Sequence, residues 1–201
     1  MIELFQKGGP LMYPLLLCSI LALAFMLERA YHYLRSADRK ELLPEILALL
    51  RKCDYEGAIR LCESVSGPVA AVLSEALKHR GRSIATMEEA ISLKGSQELK
   101  KLNKNLHILE LVGRIAPLLG LLGTVLGMVE AFRTISSLKG SVDPSLLAGG
   151  IWEALITTVA GLCVAIPALV AHHLFEDRVK TVAFNMKHSG AEVVALLGER
   201  K

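Results

Sequence analysis

No aspartate lies in any of the three long apolar runs of this chain, Leu11 to Leu27, Gly113 to Phe132 and Ala148 to His172. A pair of intramembrane aspartates that pass a proton between themselves is therefore excluded. No Ser/His/Asp set and no phosphate-binding glycine loop appears either, so enzymatic chemistry has no candidate site. The chain is expected not to be an enzyme and to need no cofactor. Four cysteines, Cys18, Cys53, Cys62 and Cys163, show no metal-ligand spacing. Two sit in apolar runs and two in the polar middle of the chain, where cytoplasmic thiols stay reduced. Strand signals are almost missing, which leaves an all-α chain. A net charge of +3 is too slight and too segregated to read as a nucleic-acid footprint.

What the chain has is apolar mass in blocks. Hydrophobic residues make up 52% of the sequence, alongside 23 Lys+Arg and 20 Asp+Glu. Each block approaches the ~20 residues that cross ~30 Å of hydrocarbon, Leu11 to Leu27 being the shortest. That first block is expected to be a retained anchor rather than a signal peptide. Only Lys7 precedes it, Gly8, Gly9 and Pro10 interrupt the basic region, and it runs into Glu28-Arg29 without a small-residue cleavage pattern. Fifteen basic residues fall between Glu28 and Arg114 and five after His172. With three spans they share one side, which should be cytoplasmic, so the N-terminus is expected outside and the C-terminus inside.

The expected organisation is a polytopic all-α protein whose long helices extend into a helical cytoplasmic region. Residues 1–10 form an outer (periplasmic) stub and 11–28 the first transmembrane helix. Residues 29–112 form the cytoplasmic helical region, 113–135 the second transmembrane helix and 136–147 a periplasmic turn. Residues 148–172 form the third transmembrane helix, and 173–201 a cytoplasmic C-terminal helix. Within the cytoplasmic region, Leu42, Leu43, Ile46, Leu49 and Leu50 recur at helical spacing. Asp54 is placed to cap a helix ending near Val65, and Gly67-Pro68 punctuates before a helix reaching His79. Ser83 or Thr86 offers a further start. No proline intervenes from there to Gly113, so that helix is expected to run on into the second span.

At 100° per residue, Gly113, Pro117, Gly120, Thr124, Gly127 and Ala131 share a face of the second span. Glu153, Thr157, Ala160, Gly161, Val164, Pro167, Ala168 and Ala171 share one of the third. Small faces allow close helix contact, as in the pair Gly123 and Gly127. Thr124 and Thr158 each lie about 15 Å into their spans, near the midplane. Each hydroxyl can bond its own helix, which is common, or line a shared polar path. Glu153 lies about five residues inside the outer end of its span, where a carboxylate is a functional candidate or simply favours a helix N-terminus. Pro117 and Pro167 can kink their helices or be tolerated there.

Gly120-Leu-Leu-Gly-Thr-Val-Leu-Gly127 with Ala131-Phe132 resembles the second-span motif of the MotA/TolQ/ExbB proton-channel family. Gly150-Ile-Trp-Glu-Ala-Leu-Ile-Thr-Thr-Val-Ala-Gly-Leu162 with Ala165-Ile-Pro-Ala168 resembles its third-span motif, closest to the ExbB/TolQ branch. The resemblance implies a pore-forming subunit of an inner-membrane motor driven by the proton gradient, with protons as the coupling ion. It implies a homopentamer around an ExbD- or TolR-like single-span partner bearing an intramembrane aspartate, energising a TonB- or TolA-like protein. By motif position Thr124 and Thr158 correspond to pore threonines and Glu153 to the third-span glutamate. Thr157 stands where the family often has alanine. The rival reading from the residues is a non-conducting membrane scaffold, in which Gly120, Gly123, Gly127 and Gly161 only pack helices.

Overall fold

The computed structural model describes residues 8–35, 41–137 and 144–198, and among them every regular element is a helix. These are α1 (Met12–Arg35), α2 (Leu42–Arg51), α3 (Tyr55–Ser64), α4 (Pro68–Lys78), α5 (Ile84–Leu102), α6 (Leu106–Ser137) and α7 (Pro144–Gly198). Three stretches are long and apolar enough to cross a membrane: Met12–Tyr33, Leu106–Ser136 and one within Ala148–Gly198. The protein is thus all-α with three candidate membrane-spanning helices. At 1.5 Å per residue the 55-residue α7 is roughly 80 Å long, more than twice the hydrocarbon thickness. It carries on through His172-His173 and the charged Glu176-Asp177-Arg178 stretch, as expected of a long helix that extends beyond its span. Pro144 begins this helix, where its missing N–H costs nothing.

The chain divides into two compact units, to both of which α1 and α7 contribute. The first comprises residues 1–28 and 105–174. Its small buried cluster is Leu15, Ala116 and Ala165, flanked by Met12, Leu119, Ala160 and Val164. Most large apolar side chains of α6 and α7 in this unit instead point outward, among them Leu118, Leu121, Val125, Val129, Val159 and Ile166. That inversion of the usual burial pattern suits surroundings of lipid or other apolar helices.

The second unit, residues 29–104 and 175–201, has an ordinary core. Ile46, Leu50, Ala58, Cys62, Leu73 and Leu77 are buried from α2 to α4, and Met186 and Val193 from α7. Asp54 Oδ1 accepts from the Gly57 amide at 2.8 Å, and Ser83 Oγ accepts from the Thr86 amide at 3.1 Å, so α3 and α5 begin on side-chain caps. The Arg29 guanidinium and the Tyr33 hydroxyl donate to the Leu102 carbonyl at 3.5 and 2.9 Å, satisfying the open end of α5.

The helix expected to continue unbroken into the second span does not. It ends at Leu102, and α6 starts afresh at Leu106. Asn105 takes a φ of 65°, the left-handed conformation that asparagine tolerates better than most residues and that ends helices. Its side-chain amide then donates to Glu28 at 3.1 Å. No proline was needed for the break.

Candidate functional site

The site is built where α6 and α7 run antiparallel within the first unit, and glycine makes it possible. A Cβ on Gly120 would lie 2.8 Å from the Thr157 carbonyl oxygen and 3.0 Å from the Thr158 Cα. One on Gly161 would lie 2.5 Å from the Ala116 carbonyl oxygen, and one on Gly127 would lie 3.0 Å from the Ala154 Cβ. A Cβ on Gly123 would collide with the Thr157 side chain, which occupies the notch that this glycine leaves. Gly113 against Leu169 and Gly150 against Ala131 extend the same register to both ends. Backbones therefore approach to near contact over about five turns of α6.

That closeness brings side-chain hydroxyls of one helix onto a carbonyl of the other. Thr157 Oγ1 donates toward the Gly120 carbonyl at 3.1 Å and toward its own Ala154 carbonyl at 2.7 Å. Thr158 Oγ1 donates to the same Gly120 carbonyl at 3.2 Å. Thr124 follows Gly120 by one turn, and its hydroxyl donates to Leu121 at 2.7 Å, within its own helix. Thr157 is 2% exposed, whereas Thr124 and Thr158 are half-buried. Two threonine hydroxyls thus meet at one carbonyl, with Thr124 one turn further along α6, and of the three Thr124 and Thr158 keep an open side.

The packed faces are turned slightly from those that the helical wheel outlines. Ala116 and Gly123 complete the α6 face with Gly113, Gly120 and Gly127, leaving Pro117 half-buried and Thr124 at the margin. On α7 the buried line is Ala154, Thr157, Gly161, Ala165 and Ala168, and Pro167 is exposed on the opposite side. Neither proline ends its helix. Glu153 belongs to α7, and its side chain lies outside the described residues.

Glu130 is a second carboxylate within the apolar runs, close to the end of its run beside Arg133, and is not among the residues that the sequence pattern singled out. The two side chains are 3.8 Å apart. Glu130 borders a cavity of about 180 Å³ whose other lining includes Gly9, Gly123, Gly127, Ala154 and Thr157. A second, more open recess of about 470 Å³ is lined by Thr124, Val125, Met128, Val129 and Phe132. It is apolar except for one hydroxyl. At the opposite end of the α6 and α7 pair, His172 Nδ1 lies 3.2 Å from the Leu106 carbonyl.

The model of the MotA/TolQ/ExbB proton channel family matches residues 64–188. The biopolymer transport protein exbB1 of Vibrio cholerae is 31% identical over 191 residues, 93% of this chain and 84% of that protein. A putative biopolymer transport protein, ExbB-like 3 of Synechocystis, is 34% identical over 174 residues, 86% of this chain and 83% of its own length. The Tol-Pal system protein TolQ of Pseudomonas aeruginosa is 41% identical over 83 residues, a match to 41% of this chain and 36% of that protein. With three apolar helices and a family match across most of its length, the chain is a multi-pass inner-membrane protein belonging to the MotA/TolQ/ExbB proton channel family, on its ExbB/TolQ side.

Proposed function

We propose that this chain is the pore-forming subunit of an inner-membrane motor driven by the proton gradient. Five copies surround the membrane helices of an ExbD- or TolR-like partner, and the assembly energises a TonB- or TolA-like protein. Protons are the coupling ion and no further cofactor takes part. The N-terminus faces the periplasm and the C-terminus the cytoplasm.

The observation that supports this reading best is the hydroxyl cluster on the Gly120 carbonyl, at mid-span in helices that otherwise expose aliphatic side chains. A threonine hydroxyl donates one hydrogen bond and accepts others, which suits holding a carboxylate and water in turn. This chain has no aspartate in its spans, and Glu130 and Glu153 lie close to span ends, so the carrier acid at the midplane comes from the partner. In its ionised form that acid is held near Thr124 and Thr158 of one subunit. Protonation weakens the hold, because a neutral acid loses the charge-assisted hydrogen bonds, and rotation presents it to the next subunit. The recess beside Thr124 has the apolar lining that a partner helix would need.

Native mass spectrometry of the protein, purified from its own membranes in mild detergent, tests the assembly. Five copies with a sub-stoichiometric single-span subunit bearing an intramembrane aspartate is the expected result. A monomer, or an oligomer lacking such a subunit, would put the scaffold reading first. Function separates the two as well. The motor requires Glu153 and Thr158, so Glu153→Gln and Thr158→Val should impair gradient-driven work. A scaffold would tolerate both and fail only with bulky replacements of Gly120 or Gly127.

A further inference from the structure

The Gly120 carbonyl is offered more donors than it can accept. A carbonyl oxygen has two lone pairs, and in a regular helix the Thr124 amide, four residues on, takes one. Thr157 and Thr158 both reach for the other, at 3.1 and 3.2 Å. One hydroxyl is therefore surplus, and the surroundings decide which. Thr157 is buried in the notch left by Gly123, where turning its side chain is sterically blocked, and its single hydroxyl proton is shared between the Ala154 carbonyl at 2.7 Å and the Gly120 carbonyl at 3.1 Å. Thr158 is half-buried, and its described hydrogen bond is the one to Gly120.

We propose that Thr157 is a positioning residue that stands in for Thr158. Its one hydroxyl proton swings from the Ala154 carbonyl to the Gly120 carbonyl as Thr158 turns away, so the Thr158 hydroxyl can donate to the carboxylate of a partner helix without leaving Gly120 short of a donor. Without Thr157, the Thr158 hydroxyl would be the carbonyl's one interhelical donor, and each release would sacrifice that bond. The two adjacent threonines then have distinct tasks, one fixed and one mobile. This inference rests on the motor reading and deepens it.

The test uses the complex purified with its natural partner and reconstituted in vesicles. Proton flux under an imposed gradient is measured per assembled complex, with oligomeric state and melting temperature recorded alongside. Thr157→Val removes the hydroxyl at nearly constant shape, and Thr157→Ala does so with no risk of overpacking the notch. Both should lower flux roughly threefold to tenfold, the worth of about one hydrogen bond. Thr157→Ser, which keeps the donor, should return flux close to the wild-type value.

Wild-type flux per complex in the hydroxyl-free variants would overturn the proposal, as would a Thr157→Ser variant no better than Thr157→Ala. The second outcome would mean that the lost methyl, and hence packing, was responsible. Thr158→Val tells the two levels apart. If it abolishes flux while Thr157→Ala does not change it, the stand-in role falls and the motor reading survives. If Thr158→Val leaves flux intact, both fall together.

Discussion

Replacing Gly120 by alanine adds one methyl group at the tightest polar contact between α6 and α7. The new Cβ would stand 2.8 Å from the Thr157 carbonyl oxygen and 3.0 Å from the Thr158 Cα, where ordinary contact begins at 3.4 Å. Both obstacles are backbone, so no side-chain rotation relieves them. The helices must part locally by about 0.6 Å. The hydroxyl bonds from Thr157 and Thr158, already 3.1 and 3.2 Å long, would then stretch beyond hydrogen-bonding range. Overpacking costs roughly 1–3 kcal/mol, and the lost interhelical bond at the Gly120 carbonyl about 0.6 kcal/mol by membrane-protein averages. Helix propensity returns up to about 1 kcal/mol for glycine to alanine, leaving a net loss of about 1.5 kcal/mol. On the scale of soluble domains of this size that lowers the melting temperature by roughly 3–6 °C.

Gly149→Ala is the control on the facing helix, since a Cβ there meets nothing within 4 Å. It should leave stability unchanged or raise it slightly. Thermal unfolding of both variants in one detergent, with size-exclusion profiles, provides the comparison. A Gly120→Ala protein that melts with or above Gly149→Ala would refute the interlocked packing on which the site depends.

Three further outcomes follow from the same structure. The double variant Thr124→Val with Thr158→Val should still assemble with its partner yet lose gradient-dependent work. Retention of that work in a complementation assay would remove the pore-threonine reading. Burial and the neighbouring Glu63 charge push the Cys62 thiol up to about 11. Maleimide should therefore label exposed Cys53 but spare Cys62 near neutral pH. The neutral thiol is the form that the fold prefers, so this contribution to stability is complete below the unfolded thiol's pKa near 9 and fades as pH rises through about 11. Mass mapping of labelled peptides across that range would expose an error, shown by Cys62 reacting as fast as Cys53 at pH 8. Asp54→Ala removes the α3 cap at Gly57 and should cost about 0.5–2 kcal/mol. A denaturation midpoint unchanged from wild type would show that the cap contributes nothing.

Some features of this protein are local in origin and were legible in the chain. Runs of some 20 apolar residues separated by charged stretches fix three spans, because hydrocarbon leaves a backbone few options other than helix. Asp54, Ser83 and Gly67-Pro68 mark helix starts through short-range bonds and a fixed proline φ, and the structure begins α3, α5 and α4 there. Family membership was legible too, since the glycine and threonine spacings of the two spans are themselves the motif. Other features depended on energies that no local pattern records. Asn103-Lys-Asn105 carries no proline, and the break at Asn105 is fixed by a left-handed residue whose side chain reaches Glu28, 77 positions away.

Tertiary structure also decided the tasks of the threonines. The sequence places Thr157 and Thr158 side by side and Thr124 at matching depth. Adjacent helical residues point about 100° apart, so a small rotation of the face changes which of them is buried. Only the packing of α7 into the Gly120 and Gly123 side of α6 put Thr157 in the notch, turned both hydroxyls onto one carbonyl and left Thr124 and Thr158 partly open. Spacing along a helix determines which residues can share a face. The approach of a second helix determines which of them are enclosed.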